Sequence, residues 1–162
     1  MCSSDLVSLR LGVATGPVTI GDCGAPPDLN DYTVIGDSAN LAARLESANK
    51  QFGTAILFDG ATRELIHDAG GLPIVPLGKV VVVGQSVPID LFTMLVEDPA
   101  PGWIEGVGRA VEAFARGDFE ACRAAWDAHE AAHGGSKLSL PFREAIDDPD
   151  DRRDGVLRLR AK

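Results

Sequence analysis

From Val7 to Ala14 the chain reads Val-Ser-Leu-Arg-Leu-Gly-Val-Ala. Apolar and polar positions alternate well enough to predict a strand, which Thr15-Gly16-Pro17 then breaks. A second short strand is expected at Val18 to Ile20. The run from Gly24 to Asp31 is rich in Pro, Asp and Asn, which favour turns and disfavour ladders, so it reads as an exposed loop. Tyr32 to Ile35 is β-branched and predicts a buried strand. Beyond Gly36 the period changes. Leu41, Leu45 and Ala48 share one face of a helix that Asp37 or Ser38 can cap and that runs to about Lys50, with Glu46 outside. Thr54 to Phe58 is the next strand, and Asp59 suits the N-cap of a short helix through Ile66, with Gly70-Gly71 ending the turn after it. Ile74 to Val83 and Ile89 to Val96 read as two strands joined by the connection Gly84 to Pro88.

Past a Pro-rich linker at residues 98–102 the pattern becomes helical. Two helices are expected, about Trp103 to Arg116 and Asp118 to His133, separated by Gly117. Trp103, Val107, Val111 and Phe114 recur at helical spacing, as do Phe119, Cys122 and Trp126, so residues 103–135 form a helical hairpin with one apolar stripe on each arm. Residues 136–162 read as a polar tail in which only Val156, Leu157 and Leu159 offer anything to bury. Strands alternating with helices give an α/β or α+β class, with a boundary near residue 99.

Composition narrows the partners. With 45% hydrophobic and 24% charged residues, a chain of 162 residues can build a core. Fifteen basic against 24 acidic side chains leave a net charge of −9, which argues against nucleic acid or an anionic membrane as partner. Three cysteines, Cys2, Cys23 and Cys122, with no C-x-x-C pair, indicate neither a disulfide framework nor a cysteine zinc site and fit a reducing compartment. No apolar run approaches the roughly 20 residues that span a bilayer, and Met1 to Leu6 lacks the features of a signal peptide, so a cytoplasmic location is expected.

The chemistry concentrates in one stretch. Asn40 and Arg44 are four apart on the expected helix and therefore point the same way. Arg presents a planar fork to phosphate oxygens and Asn can hydrogen-bond a sugar oxygen, a pair suited to a nucleoside triphosphate. The plain alternative is a surface Asn and Arg on a helix that exists because of Leu41 and Leu45. The flanking sequence favours the site. Leu11-Gly12-Val13-Ala14-Thr15-Gly16-Pro17-Val18, continued by Asp31 to Glu46, closely resembles the class III adenylyl and guanylyl cyclase catalytic domain, and the likeness extends weakly through Gly78-Lys79-Val80 and Gly84 to Ile89. About residues 7–97 resemble the C-terminal part of that domain.

The resemblance implies an α+β fold, the ferredoxin-like nucleotide cyclase sandwich truncated at its N-terminus, with the helical hairpin following. It implies adenylate cyclase activity, ATP to 3′,5′-cyclic AMP and pyrophosphate, in a head-to-tail homodimer with two divalent metal ions, Mg or Mn. Asn40 would orient the ribose, Arg44 would stabilise the transition state, and Thr33 would read adenine, although Thr also simply fills a strand well. The family's metal-binding aspartates and the Lys that partners Thr33 lie upstream of this chain's first residue, so no metal ligand is assigned to Asp22, Asp31 or Asp37. A further departure is Val83-Gly84-Gln85, where relatives often carry Lys-Gly-Lys with a phosphate-binding Lys. That departure supports the alternative function, a non-catalytic cyclase-like regulatory or interaction module.

Residues 1–6 do not resemble the family, and Met-Cys-Ser-Ser-Asp-Leu also translates a common sequencing-adapter end, so a non-native start to a truncated fragment, inactive alone, is expected. Anchoring of the full-length protein in a membrane would depend on parts outside this chain. In the tail, His129-Glu130-Ala131-Ala132-His133 satisfies the zinc motif H-E-x-x-H, but Ser136 and Ser139 stand where its longer form needs Gly and His. Gly117 to Cys122 and the helix after it resemble one tetratricopeptide hairpin, whose expected role is packing against the first module or a protein partner.

Overall fold

The computed structural model describes residues 9–23, 31–66, 71–148 and 154–161. Readings that fall on Met1 to Leu6, on residues 24–30 of the expected loop, on Gly70 and on residues 149–153 lie outside them. The elements are β1 (Leu11–Val13), β2 (Thr19–Cys23), β3 (Asp31–Ile35), α1 (Asp37–Phe52), β4 (Ile56–Asp59), α2 (Gly60–Leu65), β5 (Ile74–Val81), β6 (Ile89–Met94), α3 (Trp103–Ala115), α4 (Phe119–His133), a 3-10 turn (Lys137–Ser139), α5 (Leu140–Asp147) and β7 (Leu157–Arg158). Five strands form one sheet in the order β1-β4-β6-β5-β7, and β2 pairs with β3 as a separate antiparallel ribbon. Parallel β1–β4 and β5–β7 pairs flank antiparallel ones, so the architecture is mixed α+β, as expected.

Local chemistry explains the element ends. Asp59 caps α2 by accepting the Thr62 N–H at 2.9 Å, and Asp118 caps α4 through the Ala121 N–H at 3.0 Å. Helix α1 differs from expectation: its N-cap is Gly36 and no side chain caps it. Asp37 instead lies in the first turn, where its charge complements the positive end of the helix. The apolar run predicted as one strand from Ile74 carries a bulge between Pro76 and Gly78. The bulge moves the inward set from Val75 and Leu77 to Val80 and Val82, so both halves of the run are buried on the core side.

Helix α1 is seated directly on β1. A Cβ at Gly12 would collide with the Ala42 carbonyl oxygen and the Glu46 amide, so only glycine permits this approach. Asn49, fully buried, fixes the register along the helix. Its Nδ2 donates to the Leu11 carbonyl at 2.9 Å and to the Leu45 carbonyl at 3.0 Å, while its Oδ1 accepts from Thr54 Oγ1 at 2.8 Å. Leu45, Ala48 and Phe52 point inward, as the periodicity implies.

One hydrophobic cluster holds Leu45 of α1, Leu57 of β4, Val80 of β5, Leu91 of β6, Val107 of α3, Trp126 of α4, Phe142 of α5 and Leu157 of β7. It runs without a break past residues 98–102. The segment read as a polar tail therefore contributes Leu138, Phe142, Ala145 and Ile146 to this core and a strand to the sheet. Between α3 and α4, His129 is buried edge-on to Trp103 and Trp126, with ring centroids 5.0 and 5.8 Å away. Gly106 makes room for it, since a Cβ there would stand 2.7 Å from His129 Nδ1.

Two outcomes follow from this packing. Gly12→Ala should destabilise the protein by at least about 3 kcal/mol, because helix and strand backbones must separate. Unchanged urea unfolding in that variant would show that α1 is not held against β1. Burial, and secondarily His133 and Arg109, lower the affinity of His129 for a proton below its ordinary value of 6.5, Glu130 opposing them. The unfolded chain then binds the proton more readily than the folded one, so stability is full above pH 6.5 and is lost as pH falls from 6.5 toward the lowered folded value. Urea midpoints at pH ~7.5 and ~5.5 should drop more for the native chain than for His129→Leu, and equal drops would exclude His129 as the cause.

Candidate functional site

The exposed face of α1 forms the floor of a cleft of about 610 Å³. Asn40, Arg44, Ser47, Lys50 and Gln51 line it, all on one side of the helix at the spacing that a 3.6-residue turn dictates. Val83 closes one side and Ala161 another. A Cβ at Gly84 would stand 3.5 Å from Arg44 Nη2, so the guanidinium lies alongside the connection between β5 and β6. The seating of α1 on β1 through its opposite face is what turns this side outward.

The structure thus brings Asn40 and Arg44 into one cleft. Thr33 sits elsewhere, on β3 opposite Gly21 of β2, and does not line the cleft, although only a short stretch through Gly36 separates β3 from the first turn of α1. The apolar Val83 stands at the cleft wall, at the position where the resemblance implies a basic residue.

Electrostatically the cleft is unusual for a chain of net charge −9. Two cations, two amides and a hydroxyl line it, and no carboxylate does among the described residues. Arg44 is partly buried, and neither it nor Lys50 has an ion pair among the described residues. Planar and point-like donors without an acceptor of their own suit an anionic ligand with phosphate or carboxylate oxygens. The same donor set repels a metal ion. Among the described residues no group of three His, Cys, Asp or Glu could hold one.

The outer wall was not visible in the sequence. Leu159 N–H donates to the Val81 carbonyl at 2.9 Å and Gln51 Nε2 donates to the Arg160 carbonyl at 3.3 Å, which lays the C-terminal segment beside the cleft. The weak signal was Val156, Leu157 and Leu159 in an otherwise polar stretch.

The H-E-x-x-H motif does not build a zinc site of its usual kind here. His129 faces two tryptophans, and Glu130 is engaged by Ser139 Oγ at 2.5 Å and Arg143 at 3.1 Å, so the glutamate is a structural partner of α5 rather than a free base. Among the described residues no helix is long and apolar enough to cross a membrane.

No protein-family model matches the chain. Adenylate cyclase 1 of Rhizobium meliloti is 36% identical over 86 residues, which are 53% of this chain and 12% of that protein. A receptor-type guanylate cyclase of Caenorhabditis elegans is 30% identical over 95 residues, 59% of this chain and 8% of its own length. The crystal structure of the adenylyl cyclase CyaB from P. aeruginosa aligns over 55% of this chain and 43% of its own at 33% identity, with a TM-score of 0.45. The chain spans only a small part of the curated relatives it matches, 12% and 8% of their lengths. Those relatives are named as an adenylate cyclase and a guanylate cyclase, and the chain is similar in sequence to a part of each.

Proposed function

We propose that this chain is part of an adenylate cyclase catalytic domain that converts ATP to 3′,5′-cyclic AMP and pyrophosphate in cyclic-nucleotide signalling. The observation that carries the reading is the convergence of Asn40 and Arg44 on one cleft lined by donors and cations. In the reaction the ribose 3′-hydroxyl gives up its proton and its oxygen attacks the α-phosphorus. The bond from that phosphorus to the bridging oxygen breaks, and pyrophosphate leaves with the electron pair. Charge grows on the phosphate oxygens as this happens, and Arg44 donates to them from a fixed position, an interaction that strengthens in the transition state. The Asn40 amide hydrogen-bonds the ribose and keeps its hydroxyl in line. Thr33, on the ribbon that leads into α1, would read adenine.

The cleft's cations and amides do not fit a metal, so no step is routed through one on this chain. Magnesium or manganese would be held by carboxylates outside these residues. A homodimer is the arrangement that brings such carboxylates to Arg44. Its support here is the β2–β3 ribbon, which exposes Ile20, Val34 and Ile35 by 55%, 48% and 54%. A lone two-stranded ribbon is marginal in water and gains from being covered. We place the protein in the cytoplasm, where ATP is at hand and the buried free thiol of Cys122 stays reduced.

Complementation tests the reading. The chain alone should make no cyclic AMP. Mixed with a cyclase domain from a relative whose own Asn and Arg have been replaced by Ala, it should restore synthesis from ATP, with GTP giving less product. Arg44→Ala in this chain should lower that activity by about 100-fold or more. A mixture that stays silent, although the two chains associate, would sink the proposal.

A further inference from the structure

A second basic cleft lies on the other side of Lys50. It has a volume of about 410 Å³, and Arg10, Asn49, Lys50, Thr54 and Lys137 supply its polar lining. The three cations come from three separate parts of the fold. Arg10 precedes β1, Lys50 is in the last turn of α1, and Lys137 opens the 3-10 turn before α5. No carboxylate lines this cleft among the described residues.

The chain has 24 acidic side chains for 15 basic ones, yet three cations converge here with no acid among them. Outside this cleft six described basic residues are paired, among them Lys79 with Asp90 at 3.2 Å, Arg143 with Asp127 at 2.8 Å and Arg160 with Asp148 at 2.7 Å, while Arg44, Arg63 and Arg109 have no ion pair among the described residues. Arg10, Lys50 and Lys137 have no such pair among the described residues. Helix dipole alone accounts for Lys50, which complements the negative end of α1. It does not account for Arg10 and Lys137, which belong to other elements yet share the cleft.

We propose that this cleft binds a small phosphate-bearing anion at a site separate from the cleft of Asn40 and Arg44. The three cations share one cleft with no acid beside them, and one phosphate-bearing anion can accept from all three. The Thr54 hydroxyl donates its proton to Asn49 Oδ1, so the donors for the anion are the three cations. Such a ligand would bridge β1, the end of α1 and the start of the α5 segment, and so tighten the seating on which the first cleft depends. Lys50 lines both clefts, which gives the bound anion a direct electrostatic route to the neighbouring one.

The probe is inorganic pyrophosphate, titrated into the full chain by calorimetry and followed by thermal unfolding. Arg10→Gln and Lys137→Gln replace exposed side chains and should leave the fold intact. Each should weaken binding about tenfold, and the two together, introduced into an Arg44→Gln chain so that the first cleft lacks its guanidinium, should abolish the rise in unfolding temperature. Arg44→Gln should leave this binding in place. If Arg44→Gln removes it while Arg10→Gln and Lys137→Gln do not, the anion sits in the first cleft and the second site does not exist. Absence of pyrophosphate binding overturns the proposal, as does an equal thermal shift from potassium chloride at matched ionic strength, which would be mere screening of the net negative charge.

Discussion

Helix α1 lies so close to β1 that a single methyl group at Gly12 would meet the backbone of Ala42 and Glu46. Such an approach leaves little room for adjustment, and Asn49 removes what remains. Its side-chain amide reaches the Leu11 carbonyl of the strand, and its carbonyl takes the Thr54 hydroxyl just before β4. Each of these groups is buried or partly so, and an unmade bond there costs about 1–3 kcal/mol. The helix is therefore fixed in rotation as well as in position. Its buried face carries Leu45, Ala48 and Phe52, and the face left over is the one with Asn40 and Arg44. The orientation of the candidate chemistry is thus decided by groups that take no part in it.

That division explains which features could be read from the residues. The i, i+4 spacing of Asn40 and Arg44, and the stripe of Leu41, Leu45 and Ala48 behind them, are local properties, and periodicity reveals them. Asn49 was invisible for a physical reason: in a helix an Asn pattern reads as surface polarity, and only the tertiary position of β1 makes it a core residue. The C-terminal segment was hidden for another. Five aspartates within residues 147–154 dominate its composition, while β7 is two residues long and pairs in parallel with a strand more than seventy positions away. No short-range signal encodes a parallel pair of that separation. Leu138, Phe142 and Ile146 are spaced as a helix face, but the 3-10 turn at its start breaks the regular repeat.

The distribution of charge carries a further constraint. Six of the twelve described basic side chains pair with a neighbouring carboxylate, at distances between 2.5 and 3.9 Å. Along α1 the pattern differs, since Arg44 and Lys50 face space rather than acid. A partly buried guanidinium without an ion-pair partner has lost hydration for nothing in return within the chain. A helix needed only for packing would gain by exchanging Ser47 for an acid, three residues from both Arg44 and Lys50. Retention of uncompensated cations beside Asn40 is therefore better explained by an anionic ligand than by structure, which weighs against a purely scaffolding role even though Val83 has taken a place where a basic side chain would have helped.

The helices after residue 102 share the fate of that cleft. β5 is the common element: α3 packs on one face of it, β6 and β7 flank it, and Val83, which walls the cleft, lies two residues beyond its end. Because Phe142 and Trp126 belong to the same hydrophobic cluster as Leu45, the helices cannot shift as a unit without opening the core beneath α1. A close-packed interior responds to such a shift by moving between discrete arrangements and not by gradual yielding. Val83 follows β5 and Ala161 follows its partner β7, so both sides of the cleft belong to the sheet on which α3 packs. The Gln51 bond to the Arg160 carbonyl ties the C-terminal segment to the helix that carries Arg44. The helical extension and the segment that carries Asn40 and Arg44 therefore share one core, and the chain after the extension supplies Ala161 to the cleft that the other part builds.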